Sequence, residues 1–381
     1  MSERDPHAVA ADNVFDGTQV HHGHAVVIEG QRIVGVIRRR DVPKAIPVHE
    51  LPEGAWLAPG FIDTQVNGGG DVLFNETPTR EGIAAIVKAH RKFGTTALVP
   101  TLITDSSEKM RAAFAAVQAL TYLEPSVLGI HFEGPFLSPQ KPGVHDAGKI
   151  RRPNMQDERI MTEPRKGVMV VTLAPEEVRP GFIATLAGAG VRVSLGHSMA
   201  DYAQTKAALA EGLTGFTHLF NAMPQMESRK PGPIAAALES NAWFGMIVDG
   251  AHVAPAMLRL ALRGSAHPML VTDAMAPVGG TKKTFMLQGR EISVRDSHCV
   301  AADGTLAGTA LDMASAVRNS VRLLRMPLPD ALRAAATAPA NFLGLGETLG
   351  TLAPGYRADM VALEPNEVQV LATWVAGEMS R

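Results

Sequence analysis

Eight short apolar runs, separated by segments of helical period, constrain this chain more than any other feature. They fall at residues 61–66, 97–103, 127–132, 168–173, 191–195, 215–218, 244–248 and 269–271. Each is close to continuously apolar, as a strand covered on both faces must be. Helix signals lie between them. Asp105 with Glu108 three residues later reads as a capping box ahead of KMRAAFAAVQAL, and Ser198 reads as the cap of MADYAQTKAALAEG, with Gly212 as its stop. Eight such units over roughly 280 residues fit a (β/α)8 TIM-type barrel better than an open doubly wound sheet. No glycine-rich dinucleotide fingerprint follows any of the runs.

Both ends of the chain read differently. HAVVIEG and QRIVGVIRR near the start, and GTLAPGYRADMVALEP followed by VQVLATWVAGEM near the end, are β-branched runs punctuated by glycine, the pattern of antiparallel strands. A segment at 282–305, containing TFMLQGREISV, interrupts the alternation after the eighth run and reads as an inserted hairpin with no legible chemistry.

Composition narrows the function. A net charge of -2 offers no electrostatic basis for binding nucleic acid or an anionic membrane, so any charge on a substrate has to be met locally. Cys299 is the only cysteine, which excludes an internal disulfide and a cysteine-built zinc site and leaves 13 histidines as candidate ligands. The opening MSERDPHAVAADN has neither the cationic start nor the apolar core of a signal peptide, and no run is long enough to span a bilayer. A cytoplasmic location is the expectation.

In a barrel of this kind chemistry gathers at the C-terminal ends of the strands. The third run ends in GIHFEGPFLSP with His131 and Glu133, the fifth in SLGHS with His197, and the sixth in GFTHLFNAMP with His218 and Asn221. The seventh ends in VDGAH with Asp249 and His252, and the eighth in VTDAM with Asp273. Two neutral imidazoles and a carboxylate suit a borderline cation such as Zn2+ and leave a position for water or substrate. A carboxylate outside that set can take the water's proton and pass it to a leaving group, a task that suits Asp273. Taken singly, each of these residues is as readily a hydrogen-bonded structural group; their alignment on one rim is what favours a metal-dependent hydrolase. The first run ends in FIDTQVNGGG, where Gln65 and Asn67 stand at positions that often hold two histidines in metal hydrolases. The most conspicuous cluster, His22 and His24 in VHHGHAVV, precedes the barrel and reads as a solvated hairpin.

The segments APGFIDTQVNGGG, HFEGPFLSPQKPGVHD, SLGHSMADY, FTHLFNAMPQMESRKPG, VTDAM and GTLAPGYRADMVAL together resemble the N-acetylglucosamine-6-phosphate deacetylases of the amidohydrolase superfamily. The resemblance implies a (β/α)8 barrel over 58–345 and a small β-sandwich domain assembled from both termini, 1–57 and 346–381. It implies Glu133, His197 and His218 as ligands of one divalent metal per subunit, Zn2+ above others. Asp273 becomes the catalytic acid and base, and His145 the group that polarises the acetyl carbonyl. Asn221, Ala222, Arg229 and His252 become holders of the sugar phosphate, with Arg229 reaching a neighbouring site in a homodimer. Some of these deacetylases carry Gln-x-Asn after the first strand and use one metal, so Gln65 and Asn67 mark a vacated second-metal position. The implied reaction is hydrolysis of N-acetyl-D-glucosamine 6-phosphate to D-glucosamine 6-phosphate and acetate. The galactosamine epimer is the nearest alternative, since one hydroxyl's orientation separates the two. Another amidohydrolase reaction, or a barrel that binds sugar phosphate without turnover, fits the residues less well.

Overall fold

The computed structural model describes residues 5–295 and 298–380. Positions 1–4 of the opening stretch, 296–297 of the inserted segment and 381 lie outside the described residues. Eight parallel strands, Phe61–Val66, Thr95–Ile103, Gly129–Glu133, Val168–Leu173, Arg192–Leu195, Gly215–Phe216, Trp243–Met246 and His267–Leu270, lie side by side in chain order. All eight apolar runs are therefore strands, offset by a few residues at most. Every residue of the first three is buried, which is why these runs carry no polar alternation. The ring closes at Ala274. Val66 and Ala274 form a parallel bridge, and the Ala274 carbonyl accepts the N–H groups of Asn67 and Gly68 at 2.8 and 2.9 Å.

Two helix caps differ from the expectation. Helix Ser107–Leu120 is capped by Ser106, whose hydroxyl accepts from the Lys109 N–H, not by Asp105. Asp105 is buried and already engaged by its near neighbour Lys109 and by Asn75 and Lys149, two long-range partners that no local motif announces. Helix Tyr202–Ala210 is capped by Asp201 in a reciprocal box with Gln204. Ser198 instead donates to the Glu176 carboxylate at 2.7 Å. Gly212, just past that helix, has φ +108, the backbone region that favours glycine over other residues.

By contacts the chain divides into two units. One holds Met1–Asp63, His90–Ala97 and Asp312–Arg381, the other Thr64–Ala89 and Leu98–Leu311, so the division cuts through the first two barrel strands. In the first unit both chain ends share one continuous sheet. His7–Phe15 pairs antiparallel with Val20–Glu29 and parallel with Trp56–Pro59, and the latter pairs antiparallel with Met360–Glu364. Alternate residues serve opposite faces: Val9 and Ala11 join Leu57, Met360 and Trp374, while Ala8 and Ala10 join Ala25 and Val27. The expected hairpin pairs Val20–Glu29 with Arg32–Arg38. In it His22 is exposed and bonded to Asn13, and the His24 Nδ1–H donates to the His22 carbonyl at 2.8 Å.

The inserted segment is larger than a hairpin. Strands Thr284–Leu287, Arg290–Arg295, His298–Ala301 and Leu306–Thr309 form a four-stranded antiparallel sheet. Leu287, Ile292, Cys299 and Ala307 pack from it onto Ile103 and Met275. Replacing a capping side chain by alanine typically costs about 1 kcal/mol. Ser106→Ala and Asp201→Ala are each expected to lower stability by about that amount, read from the midpoint of chemical unfolding.

Candidate active site

Because the strands run parallel, their C-terminal ends open onto one rim, and a cavity of about 390 Å³ lies there. Asn67, Glu133, His145, His197, His218 and Asp273 line it, together with Asn221, Ala222 and His252. His197, His218 and Asp273 lie just past their strands with φ of +49, +31 and +50. Left-handed backbone costs energy for any residue with a Cβ, so these turns store strain at the positions that aim polar groups into the cavity.

Glu133, His197 and His218 form a cluster suited to a cation. Glu133 Oε1 lies 3.0 Å from His218 Nε2 and 3.3 Å from His197 Nε2, and the two imidazole nitrogens are 3.2 Å apart. Ligands held at ~2.0–2.1 Å by a tetrahedral ion lie about 3.3 Å from one another, so the three atoms fit one metal without rearrangement. His197 Nδ1–H donates to the Lys141 carbonyl at 2.8 Å, which leaves Nε2 as the free lone pair facing the cluster. Burial pushes the Glu133 carboxyl up, but its bonds to His197 and His218 win and hold it well below the usual range. The His218 imidazole is likewise disfavoured as a cation by burial, yet Glu133 holds its pKa above the ordinary value. The cluster thus demands positive charge at its centre.

Asp273 has the opposite environment. Burial first, then the negative charge of Glu133, raise its carboxyl to about 6. The first strand restrains it: Asn67 Nδ2 donates to Asp273 Oδ1 at 2.6 Å, and Gln65 Nε2 reaches both Asp273 Oδ1 and Glu133 Oε2 at 3.2 Å. Where a metal hydrolase places two imidazoles, this chain places two amides that each donate to the final aspartate. A carboxamide is a poor ligand beside imidazole.

His145 lies over this cluster, its ring centroid 4.4 Å from that of His197. The Thr104 N–H donates to His145 Nδ1 at 3.3 Å, and the Thr104 hydroxyl lies 2.8 Å from the same nitrogen. A backbone N–H can only donate, so Nδ1 is the acceptor and Nε2 carries the proton. Burial, then the neighbouring His197, lower its pKa to about 3, so the ring is neutral and offers Nε2–H as a donor. His252, also on the cavity wall, donates its Nδ1–H to Asp249 at 2.6 Å. Burial opposes the Asp249 charge, but His252 wins and brings the carboxyl to about 2.

Gln65, His131, Arg229 and Asp249 are not among the residues that line the cavity. Arg229 is exposed. His131 lies one layer below Glu133, buried in the barrel, where Nδ1–H donates to the Thr64 carbonyl at 3.1 Å and Nε2 accepts from the Thr172 hydroxyl at 2.7 Å. Burial lowers its pKa to about 4, so it is a neutral strut. Two residues apart on one strand, His131 and Glu133 share a face, which puts His131 one layer deeper in the barrel. The sequence reading missed Gly143 and Val144, and the insertion's Thr305, Leu306 and Gly308, all of which line the cavity. Their only local signal is glycine: Gly143 has φ +57, and a Cβ there would stand 3.1 Å from His197 Cε1.

Glu133→Gln is expected to abolish divalent-cation binding, measured by equilibrium dialysis, because a neutral amide removes the only charged donor of the cluster. His131 sets a pH dependence. Its ordinary value of 6.5 falls to about 4 in the fold, so the unfolded chain binds the extra proton between these values. Stability is therefore full above 6.5 and declines as the pH falls toward 4, and His131→Ala is expected to flatten that slope while costing on the order of 3 kcal/mol for the partners left unpaired.

The amidohydrolase family matches residues 56–379, and the NagA composite domain matches residues 8–57. The chain is 43% identical over 342 residues to the N-acetylgalactosamine-6-phosphate deacetylase of Shewanella sp. (strain ANA-3), covering 87% of this chain and 85% of that protein. It is 34% identical over 372 residues to the N-acetylglucosamine-6-phosphate deacetylase of Haemophilus influenzae, covering 96% and 97%. The crystal structure of N-acetylglucosamine-6-phosphate deacetylase from Pasteurella multocida superposes with a TM-score of 0.94 at 34% identity, covering 99% of this chain and 100% of that one. The chain belongs to the amidohydrolase family.

Proposed function

We propose that this chain hydrolyses the acetamide of N-acetyl-D-glucosamine 6-phosphate to D-glucosamine 6-phosphate and acetate, using one Zn2+ per subunit held by Glu133, His197 and His218. The observation that carries the proposal is the pairing, in one cavity, of a three-ligand cluster with a separate carboxylate whose proton affinity lies near neutrality. The metal, when bound, supplies a Lewis acid that polarises the acyl carbonyl and acidifies water. The protein supplies the rest. His145 Nε2–H donates to the carbonyl oxygen as negative charge gathers there. Asp273 takes the proton of the attacking water and returns it to the nitrogen as the C–N bond breaks, since an amine anion is too poor a leaving group to depart unprotonated. Asn221, Ala222 and His252, which line the same cavity, hold the sugar phosphate. Gln65 and Asn67 occupy the position of a second metal.

Arg229 is exposed on its own chain, which suits the proposal that it reaches the phosphate in the neighbouring subunit's site of a homodimer. A cytoplasmic setting accords with the absence, among the described residues, of any helix long and apolar enough to cross a membrane. A second reading has its own support. The 43% identity to a galactosamine-6-phosphate enzyme exceeds the 34% to the glucosamine-6-phosphate enzyme of Haemophilus influenzae, so the epimer is a competing substrate.

Acetate release from both epimers, with metal content measured on the same sample, tests these readings. A kcat/KM that favours the glucosamine compound, with close to one zinc per chain, supports the first; a preference for the galactosamine compound installs the second; no release from either overturns both. Asp273→Asn is expected to retain the metal and lose roughly 10²–10⁴-fold in kcat. Arg229→Ala is expected to raise KM roughly tenfold for the phosphorylated substrate alone. Mixing these two variants should restore turnover at low substrate, because one site of a mixed dimer regains both residues; no recovery on mixing would place Arg229 in its own subunit's site.

A further inference from the structure

The inserted sheet carries, at the tip of its first hairpin, a residue that the reaction as described leaves unused. Leu287 pairs with Arg290, so Gln288 and Gly289 alone make the turn, with φ of +49 and +80. Positive φ at both positions is the twisted two-residue turn in which Asn-Gly is strongly preferred. Glutamine adopts this backbone less readily than asparagine, because it lacks the short side chain that bonds locally. A residue held in a conformation that a close homologue suits better invites a search for what its extra length reaches.

Gln288 spans two segments that meet at His145. Its Nε2–H donates to the Thr104 carbonyl at 2.7 Å, and its Oε1 accepts the Asp146 N–H at 3.0 Å. Only one orientation of the amide satisfies both bonds, so the donor and acceptor are fixed. Thr104 is the residue whose N–H and hydroxyl meet His145 Nδ1, and Asp146 follows His145 in the chain. One side chain therefore ties the group that sets the imidazole's tautomer to the backbone that carries the imidazole. The hairpin itself is held independently: Leu287 and Ile292 are buried in the apolar cluster with Ile103, against which Val144 also packs.

We propose that Gln288 is a positioning residue of the catalytic site, acting through His145: by bridging Thr104 and Asp146 it holds the imidazole in the Nε2–H form and at the place from which that proton meets the substrate carbonyl. The four-stranded insertion then has a part in the chemistry as the strut behind the carbonyl-polarising histidine. This rests on the amide-hydrolase reading for its kinetic consequence, while its structural content, the tautomer of His145, does not.

Gln288→Asn separates the two roles of the residue. Asparagine suits the turn, so the thermal midpoint is expected to be unchanged or slightly raised, but it is one methylene too short to bridge. The variant is expected to lose roughly 10- to 100-fold in kcat with KM within about twofold, and to lose less on the trifluoroacetyl analogue, whose carbonyl needs less polarisation. In a His145→Ala background the substitution is expected to add nothing, the mark of two residues acting as one unit. The ring-nitrogen NMR shifts of His145, recorded without substrate, should report a single Nε2–H tautomer in the parent and a mixture in the variant. Full kcat in Gln288→Asn, an equal loss with and without His145, or an unchanged tautomer would each overturn the inference. If the parent releases no acetate from either N-acetylhexosamine 6-phosphate, the reaction reading fails while the tautomer measurement still decides the role of Gln288.

Discussion

The hydrogen bonds that close the barrel at Ala274 are the constraint on which the site depends. Two consecutive N–H groups after the first strand, those of Asn67 and Gly68, converge on that one carbonyl. Asn67 and Asp273 are thereby neighbours although 206 positions separate them in the chain, and the amide of one can hold the carboxylate of the other. Thr309 from the insertion bridges to the same Ala274, so the four-stranded sheet begins its return to the chain at the seam. Closure of the ring, the restraint on Asp273 and the placement of the insertion are consequences of a single backbone junction.

Two carboxylates share this cavity, and their opposite proton affinities follow from what surrounds each. Burial penalises both charges. Glu133 offsets the penalty with two imidazoles, which hold it ionised, whereas Asp273 faces Glu133's charge with amides as its nearest donors and rises to about 6. A group ready to exchange a proton near neutrality and a group that cannot release its charge are what an acid-base residue and a ligand respectively require. The neutral His145 adds a donor to the cavity without adding charge.

The barrel was legible because burial on both faces writes each strand as a continuous apolar run, and the rim residues were legible because they close those runs. His197, His218 and Asp273 each stand one to three residues past a strand, where the fold demands a sharp turn. What escaped the sequence was everything set by distant partners. Asp105 looked like a cap until Asn75 and Lys149 claimed it, and the same holds for Ser198 with Glu176. The insertion read as a hairpin with no chemistry because its contacts, Gln288 with Thr104 and Leu306 with the cavity, join segments that no local pattern connects. Arg229 was singled out only through resemblance, since an exposed arginine has no signature in one chain.

The sheet made from both chain ends has a bearing on synthesis. Strand Trp56–Pro59 is made early, yet its antiparallel partner Met360–Glu364 follows roughly 300 residues later. At ~5–20 residues per second, that strand edge waits about 15–60 s on the ribosome before the chain that covers it exists. Leu57 and its early neighbours Val9, Val14 and Val26 lack, through that interval, the cover of Met360, Ala362 and Trp374. The first sixty residues are thus a standing request for chaperone protection, and a message cut short before the codon for Met360 would yield a chain whose sheet could not be completed, however well its barrel was encoded.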